Sequence, residues 1–422
     1  MKTLALILFF LTYALMIALP KQRPWVAVGS AVIFVLTGIM PLQNVLGAID
    51  FNILMMLAGT MGTVSLFIAS KMPNRLAELI LQRTPNVMWV VVAMSLFAGI
   101  VSAFVDNVAT VLMIAPVGLA IAKKLNISPV TMLICIAVSS NLQGAATLVG
   151  DTTSILLGGY AGMDFMDFFW MNGKPGIFFA VELGALLTVP VIMFLFRNQR
   201  EPVEIDEHTE VTDYVPTILL GATVVLLIAA SFLPHKPAMM NGIICMGLFI
   251  IGAVYSIIRN KNTDLFRQAL SEIDYETLML LAGLFVVIGG ITEAGIINEI
   301  SKLFVRVGGT NPFVLFTILV WGSVLISAFV DNIPYVATML PVVTSIAAAT
   351  GANATLLYFG LLTGATLGGN LTPIGASANI AAIGILRKNG YEVKSSDFFK
   401  IGIPFTIVAV TTGYLFTWFV WG

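Results

Sequence analysis

Long apolar stretches separated by short polar segments run along the whole chain. A helix needs about 20 apolar residues to cross the hydrocarbon core of a bilayer. Ten stretches meet this requirement and predict spans: 3–20, 25–47, 51–70, 130–160, 176–196, 215–234, 239–258, 275–295, 353–386 and 403–421. Two further apolar stretches, 88–122 and 313–349, each carry an Asp-Asn pair near the middle. The pattern predicts an all-α integral membrane protein.

The two halves of the chain repeat each other. The hexapeptide Ser-Ala-Phe-Val-Asp-Asn at 102–107 recurs unchanged at 327–332, and nine of the sixteen positions in 102–117 are identical in 327–342. The same spacing places Gly144, Thr147 and Gly150 on Gly369, Thr372 and Gly375. We therefore divide the chain into a first repeat (1–196), a polar linker (197–214) and a second repeat (215–422). Internal repeats of this kind are typical of secondary transporters.

Composition excludes several classes of protein. The chain is 58% hydrophobic and 10% charged, whereas soluble domains carry roughly 25% charged residues. Its net charge of −1 gives no basic surface for nucleic acid. The sequence has no nucleophile–base pair or metal-ligand motif, so we expect no enzymatic activity. We expect no cofactor other than bound sodium ions.

The positive charges predict the orientation. With the linker in the cytoplasm, sixteen of the 21 lysines and arginines lie on the cytoplasmic side, as the positive-inside rule requires. Each repeat then has five spans plus one Asp-Asn segment that returns to its starting side. Because five is odd, the second repeat is inverted. The segments 88–122 and 313–349 are thus expected to be re-entrant helical hairpins, although two full helices joined by an aqueous Asp-Asn loop would give the same charge pattern.

The Asp-Asn pairs are candidate ion sites. A charged side chain in hydrocarbon costs at least about 2.5–3.5 kcal/mol on insertion scales, so two acids at equivalent positions point to function. Backbone carbonyls freed at a hairpin tip, together with amide and carboxylate oxygens, suit a proton or a small cation. A sodium site is possible at Asp106, Asn107, Asp331 and Asn332. The alternative is that these aspartates only cap the helix that follows them.

A second group of polar and small residues follows each hairpin. Glycine, proline and hydroxyl residues inside a span predict local unwinding, which exposes backbone groups to a ligand near the midplane. We expect broken helices at 130–160 and 353–386, with regular helix failing between about 144 and 151 and between about 368 and 375. The alternative is close helix packing through small residues. The candidate binding residues are Asn141, Gly144, Thr147, Gly150, Asp151 and Thr152, and then Gly369, Asn370, Thr372, Gly375, Ser377 and Asn379.

These motifs, at 102–107, 144–151, 327–334 and 368–379, resemble the ion transporter superfamily. The similarity is strongest to its branch of P proteins, arsenite permeases and NhaD-type antiporters, which carry a citrate transporter-like domain. The resemblance implies inverted repeats, two re-entrant hairpins and a substrate site between their tips. It also implies a homodimer in which a transport domain moves against a scaffold domain as an elevator.

The expected function is proton- or sodium-coupled secondary active transport, either cation/proton exchange or efflux of arsenite and antimonite. Dicarboxylate carriers of the superfamily have Ser-Asn-Thr at the tips, where this chain has Asp106 and Asp331. The layout places every lysine and arginine at a membrane edge or in a loop, so nothing offsets these acids against an anion. Transport of citrate or another organic anion is the alternative, followed by a passive channel. We expect a multi-pass protein of a bacterial or archaeal plasma membrane, whose partners are lipid and a small ion or molecule.

Overall fold

The computed structural model describes residues 1–124, 127–203 and 209–422. Within these ranges each repeat contributes ten α-helices. Those of the first repeat are α1 (Lys2–Ala18), α2 (Arg23–Leu36), α3 (Val45–Ala48), α4 (Phe51–Ala69), α5 (Met72–Leu81), α6 (Val87–Ser102), α7 (Asn107–Lys124), α8 (Pro129–Gly144), α9 (Thr152–Ala161) and α10 (Ile177–Leu195). Those of the second are α11 (Val215–Ser231), α12 (Met240–Asn260), α13 (Asp264–Ser271), α14 (Tyr275–Glu293), α15 (Ile296–Gly308), α16 (Pro312–Ser327), α17 (Asn332–Thr350), α18 (Ala354–Leu362), α19 (Ser377–Lys388) and α20 (Ser395–Trp421).

Seven of the described helices are long and apolar enough to cross a membrane. The count rises to nine if each of two sharply bent helix pairs is taken as one span. One bent pair is α1 with the helical segment Pro20–Leu36, at 115°. The helix count is below the ten predicted spans because both broken helices are divided into short pieces and α1, α2 and α11 are shorter than 18 residues, while two of the seven, α7 and α17, belong to the Asp-Asn segments. It supports the predicted all-α membrane protein, to which the structure adds one small β-hairpin, β1 (Trp170–Met171) with β2 (Lys174–Pro175).

Helices of one repeat pack against helices of the other. Helix α2 packs along α14, and α4 packs along α12. Gly59 on α4 and Gly283 on α14 occupy equivalent positions, and both lie where two helices meet. A Cβ atom on Gly59 would lie 2.4 Å from the backbone of Cys245, and one on Gly283 would lie 2.6 Å from that of Ala27. Only glycine allows the two backbones to approach so closely.

We expect Gly59→Ala and Gly283→Ala each to lower the thermal stability of the detergent-solubilised protein. Alanine favours a helix by about 1 kcal/mol over glycine, but overpacking typically costs about 1–3 kcal/mol, and here the obstacle is backbone, which yields little. Thermal unfolding followed by circular dichroism measures the effect. Gly247→Ala on α12 is the control, because nothing lies within 4 Å of its added methyl group. Equal stability of all three variants would contradict the close-packing argument.

The Asp-Asn segments form helical pairs. Helices α6 and α7 are separated by residues 103–106, and α16 and α17 by residues 328–331. These four connecting residues, which we call the tip, are the middle four of the repeated hexapeptide in both copies. Helices α7 and α17 are also long enough to cross a membrane. The re-entrant path consequently stays a prediction.

Both broken helices are interrupted near the motifs. In the first repeat, α8 ends at Gly144 and α9 begins at Thr152. In the second, α18 ends at Leu362 and is followed by a π-helical turn (Thr363–Leu367) and a 3₁₀ turn (Gly369–Leu371) before α19 begins at Ser377. The two breaks face each other across the hydrogen-bond network described below.

Two predicted segments differ from the structure. The span 25–47 is not one helix, because α2 ends at Leu36 and the chain turns at Gly38, whose φ is +72°. The linker 197–214 is described only in part, since residues 204–208 lie outside the described ranges. Its described ends are held by backbone bonds, with the amide of Val87 donating to Glu201 and that of Thr212 donating to Ser70.

Candidate functional site at the hairpin tips

The tip aspartates cap the helices that follow them. The Asp106 carboxylate accepts hydrogen bonds from the backbone amides of Val108 and Ala109, at 3.0 and 3.2 Å. The Asp331 carboxylate accepts one from the amide of Ile333 at 3.1 Å. Capping satisfies amides that have no partner inside the helix. The capping role is thus present at both tips, and any further role rests on the other oxygen contacts of each carboxylate.

Four of the predicted site residues hold the tips in place. The hydroxyl of Thr147 donates to the carbonyl of Ala103, and that of Thr372 donates to the equivalent carbonyl of Ala328. A Cβ atom on Gly150 would lie 2.6 Å from the carbonyl oxygens of Gly144 and Ser102.

The second repeat reproduces this contact. A Cβ atom on Gly375 would lie 2.6 Å from the Gly369 carbonyl and 2.7 Å from that of Ser327. Each break therefore presses backbone directly against its hairpin tip. These glycines and threonines shape the site, but they are not among the lining residues of the cavity beside the tips.

A chain of buried asparagines joins the first tip to both breaks. The Asn107 side-chain amide donates to Asn141 at 2.9 Å and to Asp151 at 3.3 Å. The Asn141 amide in turn donates to the Asn370 side chain at 3.1 Å, and the Asn379 amide donates to that same oxygen at 3.4 Å. Buried polar groups of this kind are costly unless they are paired. The network therefore couples the two repeats at the site.

Asp151 adds a third carboxylate to this network. It directly precedes α9, and Thr153 donates to its second carboxylate oxygen at 2.6 Å. The Thr153 hydroxyl also lies 2.8 Å from that of Thr366 in the other repeat. The equivalent position in the second repeat is Ala376. The acidic character of the site is therefore concentrated at the first tip.

A cavity of about 270 Å³, here called the tip cavity, opens beside the tips. Its lining includes six predicted site residues: Asp106, Asn107, Asp151, Thr152, Asn332 and Ser377. The lining also contains Ser65 of α4 and the acids Glu272 and Asp274 just before α14, none of which the sequence indicated as ligands. Of the described residues that line the cavity, none is lysine or arginine.

The predicted absence of a cation near the tips is wrong at Asp331. The Arg23 guanidinium, at the start of α2, lies 2.8 Å from an Asp331 carboxylate oxygen, and both side chains are largely buried. Ser377 donates to the same oxygen at 3.3 Å. The charge pattern placed Arg23 at the membrane edge, but the tip of the second hairpin lies in direct contact with it. Of the four residues of the predicted sodium site, Asp106, Asn107 and Asn332 line the tip cavity, whereas Asp331 is paired with Arg23 and is not among the lining residues.

A second, larger cavity of about 870 Å³, which we call the opposite cavity, is lined by residues of both repeats, and part of its lining is equivalent to that of the tip cavity. Four residues of α4 in the tip cavity correspond, 224 positions further on, to four residues of α14 in the opposite cavity. They are Met61, Val64, Ser65 and Ile68, matched by Phe285, Ile288, Gly289 and Thr292. The opposite cavity reaches Leu340 and Pro341 in the middle of α17 rather than the tip. The two cavities are thus related by the repeat, but only one reaches the tips.

Residues 13–364, which contain both tips and both breaks, match the family described as citrate transporter. The chain belongs to the citrate transporter family. It is 29% identical to a 46 kDa membrane protein of Mycobacterium leprae over 99% of this chain and 98% of that protein. It is 27% identical to the human P protein over 88% of this chain and 54% of that protein. The resemblance drawn from the tip motifs is thereby confirmed.

The fold also occurs in a solved transporter structure. The YdaH transporter of Alcanivorax borkumensis superposes with a TM-score of 0.61 at 13% identity, covering 89% of this chain and 86% of that one. This family member is accordingly a multi-pass secondary transporter of the ion transporter superfamily and not an enzyme. Its tip cavity is lined by residues of the repeated motifs from both halves of the chain, including Asn107 and Asn332.

Proposed function

We propose that this protein exchanges a small cation for protons, in a proton- or sodium-coupled secondary transport cycle. The observation that carries the proposal is the lining of the tip cavity. Asp106 and Asp151 line it together with amide and hydroxyl side chains, and none of the described lining residues is lysine or arginine. Carboxylate, amide and hydroxyl oxygens are ligands that hard cations prefer. The same oxygens accept protons, so loading one species displaces the other. Arsenite or antimonite leaving as a neutral hydroxide would also fit a small acidic cavity.

The two related cavities support an elevator-type cycle. The tip cavity opens beside Glu272 and Asp274, which follow Arg267 on the side that the charge pattern places in the cytoplasm. In this conformation the site faces inward. A shift of the hairpins and broken helices against α4 and α14 would close the tip cavity and bring the tips to the opposite cavity. Because the repeats are equivalent, the outward-facing arrangement is this one with the repeats exchanged.

Citrate transport is the second candidate, and one contact favours it besides the family. Arg23 lies next to the second tip, so a cation is available that the sequence did not indicate. An anionic substrate would have to displace the Asp331 carboxylate from this guanidinium. In the tip cavity it would also meet Asp106 and Asp151, and like charges oppose one another there. Bound sodium ions would be needed to offset them.

The assembly we propose is a homodimer in a bacterial or archaeal plasma membrane. The superfamily resemblance supports the dimer, and the mycobacterial relative supports the membrane. The transport domain would comprise the two hairpins and the two broken helices. The scaffold would comprise the cross-repeat helices α2, α4, α12 and α14.

We expect acidification to weaken solute binding, because a proton on Asp106 or Asp151 removes the charge that holds a cation. The measurement is uptake by protein reconstituted into vesicles, with imposed proton and sodium gradients. Sodium, arsenite, citrate and succinate are compared across pH. Vesicles with an acidic interior should accumulate the cation as protons leave, and vesicles without a proton gradient should not. Passive flow that never exceeds equilibrium would indicate a channel.

The same assay distinguishes the two candidates. Saturable citrate or succinate uptake that depends on sodium, with no exchange of cations against protons, would establish the second candidate. Empty vesicles and vesicles carrying the Asp106→Asn protein are the controls. A response to pH that persists in Asp106→Asn would locate the titrating group elsewhere.

A further inference from the structure

The ion pair at the second tip joins the two moving parts of the proposed transporter. Arg23 begins α2, which packs along α14, whereas Asp331 caps α17 at the hairpin tip. Tyr13 of α1 reinforces the contact, since its hydroxyl donates to the Pro334 carbonyl at 2.7 Å and also contacts the Thr338 hydroxyl. The α1–α2 junction therefore holds the tip of α17 in this conformation.

The first tip has no such partner here. Among the described residues, the Asp106 carboxylate accepts hydrogen bonds only from the amides at the start of its own helix and takes part in no ion pair. It lies instead at the tip cavity. One tip acid is thus neutralised by a scaffold cation while the equivalent acid is open to solute.

The sequence supplies an equivalent cation for Asp106. The α1–α2 junction reads Leu19-Pro20-Lys21-Gln22-Arg23-Pro24, and the α11–α12 junction reads Leu233-Pro234-His235-Lys236-Pro237. Both junctions follow the first helix of a repeat, and in both a basic residue stands directly before the second proline. Lys236 is therefore the counterpart of Arg23. In this structure it forms an ion pair with Asp164, just before the 3₁₀ turn Phe165–Phe168.

We infer that Lys236 pairs with Asp106 in the opposite-facing conformation, as Arg23 pairs with Asp331 in this one. The inference rests on the proposed exchange of cavities. A carboxylate on the closed side has no solute to balance it, and leaving it buried and unpaired is costly. A scaffold cation at each junction removes that cost in one state only. Each conformation then presents one free tip acid to solute and one tip acid held by the scaffold.

Disulfide formation in the full-length protein in membranes tests the pairing. In a background of Cys135→Ala and Cys245→Ala, the pair Lys236→Cys with Asp106→Cys should cross-link, which requires Cα atoms within about 7 Å. The pair Arg23→Cys with Asp331→Cys reports the present conformation and should also cross-link. The mismatched pairs, Lys236→Cys with Asp331→Cys and Arg23→Cys with Asp106→Cys, should not.

Each cysteine pair removes a tip acid, so a second measurement uses variants that keep both tip acids. Ala337 lies in the opposite cavity and is only 5% exposed. Labelling of Ala337→Cys should become about fivefold faster or more when Arg23→Gln weakens the present state. Arg23→Lys should restore the slow rate, which loss of folding would not do.

The outcomes separate the inference from the proposed function. If vesicles exchange cations for protons, yet the Lys236–Asp106 pair cross-links no faster than the mismatched pairs, the inference is wrong and the function stands. If Ala337→Cys labelling shows that the conformation changes and the predicted pair cross-links, the inference holds even when the transported solute proves to be citrate. If Arg23→Gln leaves Ala337→Cys labelling unchanged, the ion pair does not hold this state.

Discussion

Asp106→Asn is expected to lower coupled transport about ten- to a hundredfold while leaving the fold intact. Asparagine is also a good N-cap, so the start of α7 keeps its capping bonds. What is lost is a charge at the tip cavity and a group that carries a proton. A hydrogen bond to a charged group contributes about 1.5–3 kcal/mol, and each 1.4 kcal/mol is a factor of about ten. Initial rates of exchange in vesicles at matched protein content measure the loss.

Asp331→Asn should behave differently, although the two residues are equivalent in sequence. It leaves the Arg23 guanidinium without its carboxylate in a largely buried place, so we expect lower thermal stability as well as lower transport. Combining it with Arg23→Gln should restore stability. Asp264→Asn, on the exposed face of α13, is the control for loss of one acid. For the first tip, full and pH-dependent transport by the Asp106→Asn protein would show that the Asp106 carboxylate serves only as a helix cap.

Gly150→Ala and Gly375→Ala are expected to have the largest structural effect at the site. The added methyl group meets carbonyl oxygens at 2.6 Å in both positions, and these belong to the hairpin tip and to the broken helix itself. Overpacking costs about 1–3 kcal/mol even where side chains can shift, and here backbone has to shift. We expect a lower melting temperature and loss of solute binding, read by unfolding in detergent and by binding in the same preparation.

The matched control is Gly384→Ala on α19. It lies in the same broken helix as Gly375, but nothing lies within 4 Å of its added methyl group. It should therefore be neutral or slightly stabilising, as alanine in a helix usually is. If the Gly375→Ala protein has the same melting temperature as the Gly384→Ala protein and binds solute equally well, the break tolerates a side chain.

Much of the architecture follows from local sequence. Apolar stretches interrupted by charges indicate where helices lie, and the repeated hexapeptide locates both tips to the residue. The breaks follow from glycine and hydroxyl residues, since the helices end at Gly144 and Leu362 and resume at Thr152 and Ser377. What local sequence does not reveal is why those glycines are needed. At Gly150 and Gly375 the reason is contact with another segment, as no unusual φ angle is present there.

Arg23 shows where the sequence is insufficient. It stands at the beginning of a helix in a loop with another basic residue, a pattern that indicates a membrane edge and nothing more. Its partner is 308 positions away, and their meeting depends on where the second hairpin lies relative to the first two helices. The junction repeat that relates Arg23 to Lys236 is short and contains a one-residue length difference. Its meaning becomes evident only after the ion pair is seen.

The crossing of α2 with α14 and of α4 with α12 has a consequence for how the protein is made. The ribosome completes the first repeat before α12 and α14 exist, so α2 and α4 enter the bilayer without the helices that later cover them. The face of α4 that carries Gly59 and the face of α2 that carries Ala27 stay in contact with lipids or insertion factors until the second repeat is inserted. Each repeat therefore relies on helices of the other to cover these faces, although each carries a full copy of the pattern. An ancestral single-repeat protein would have needed a second copy to cover them.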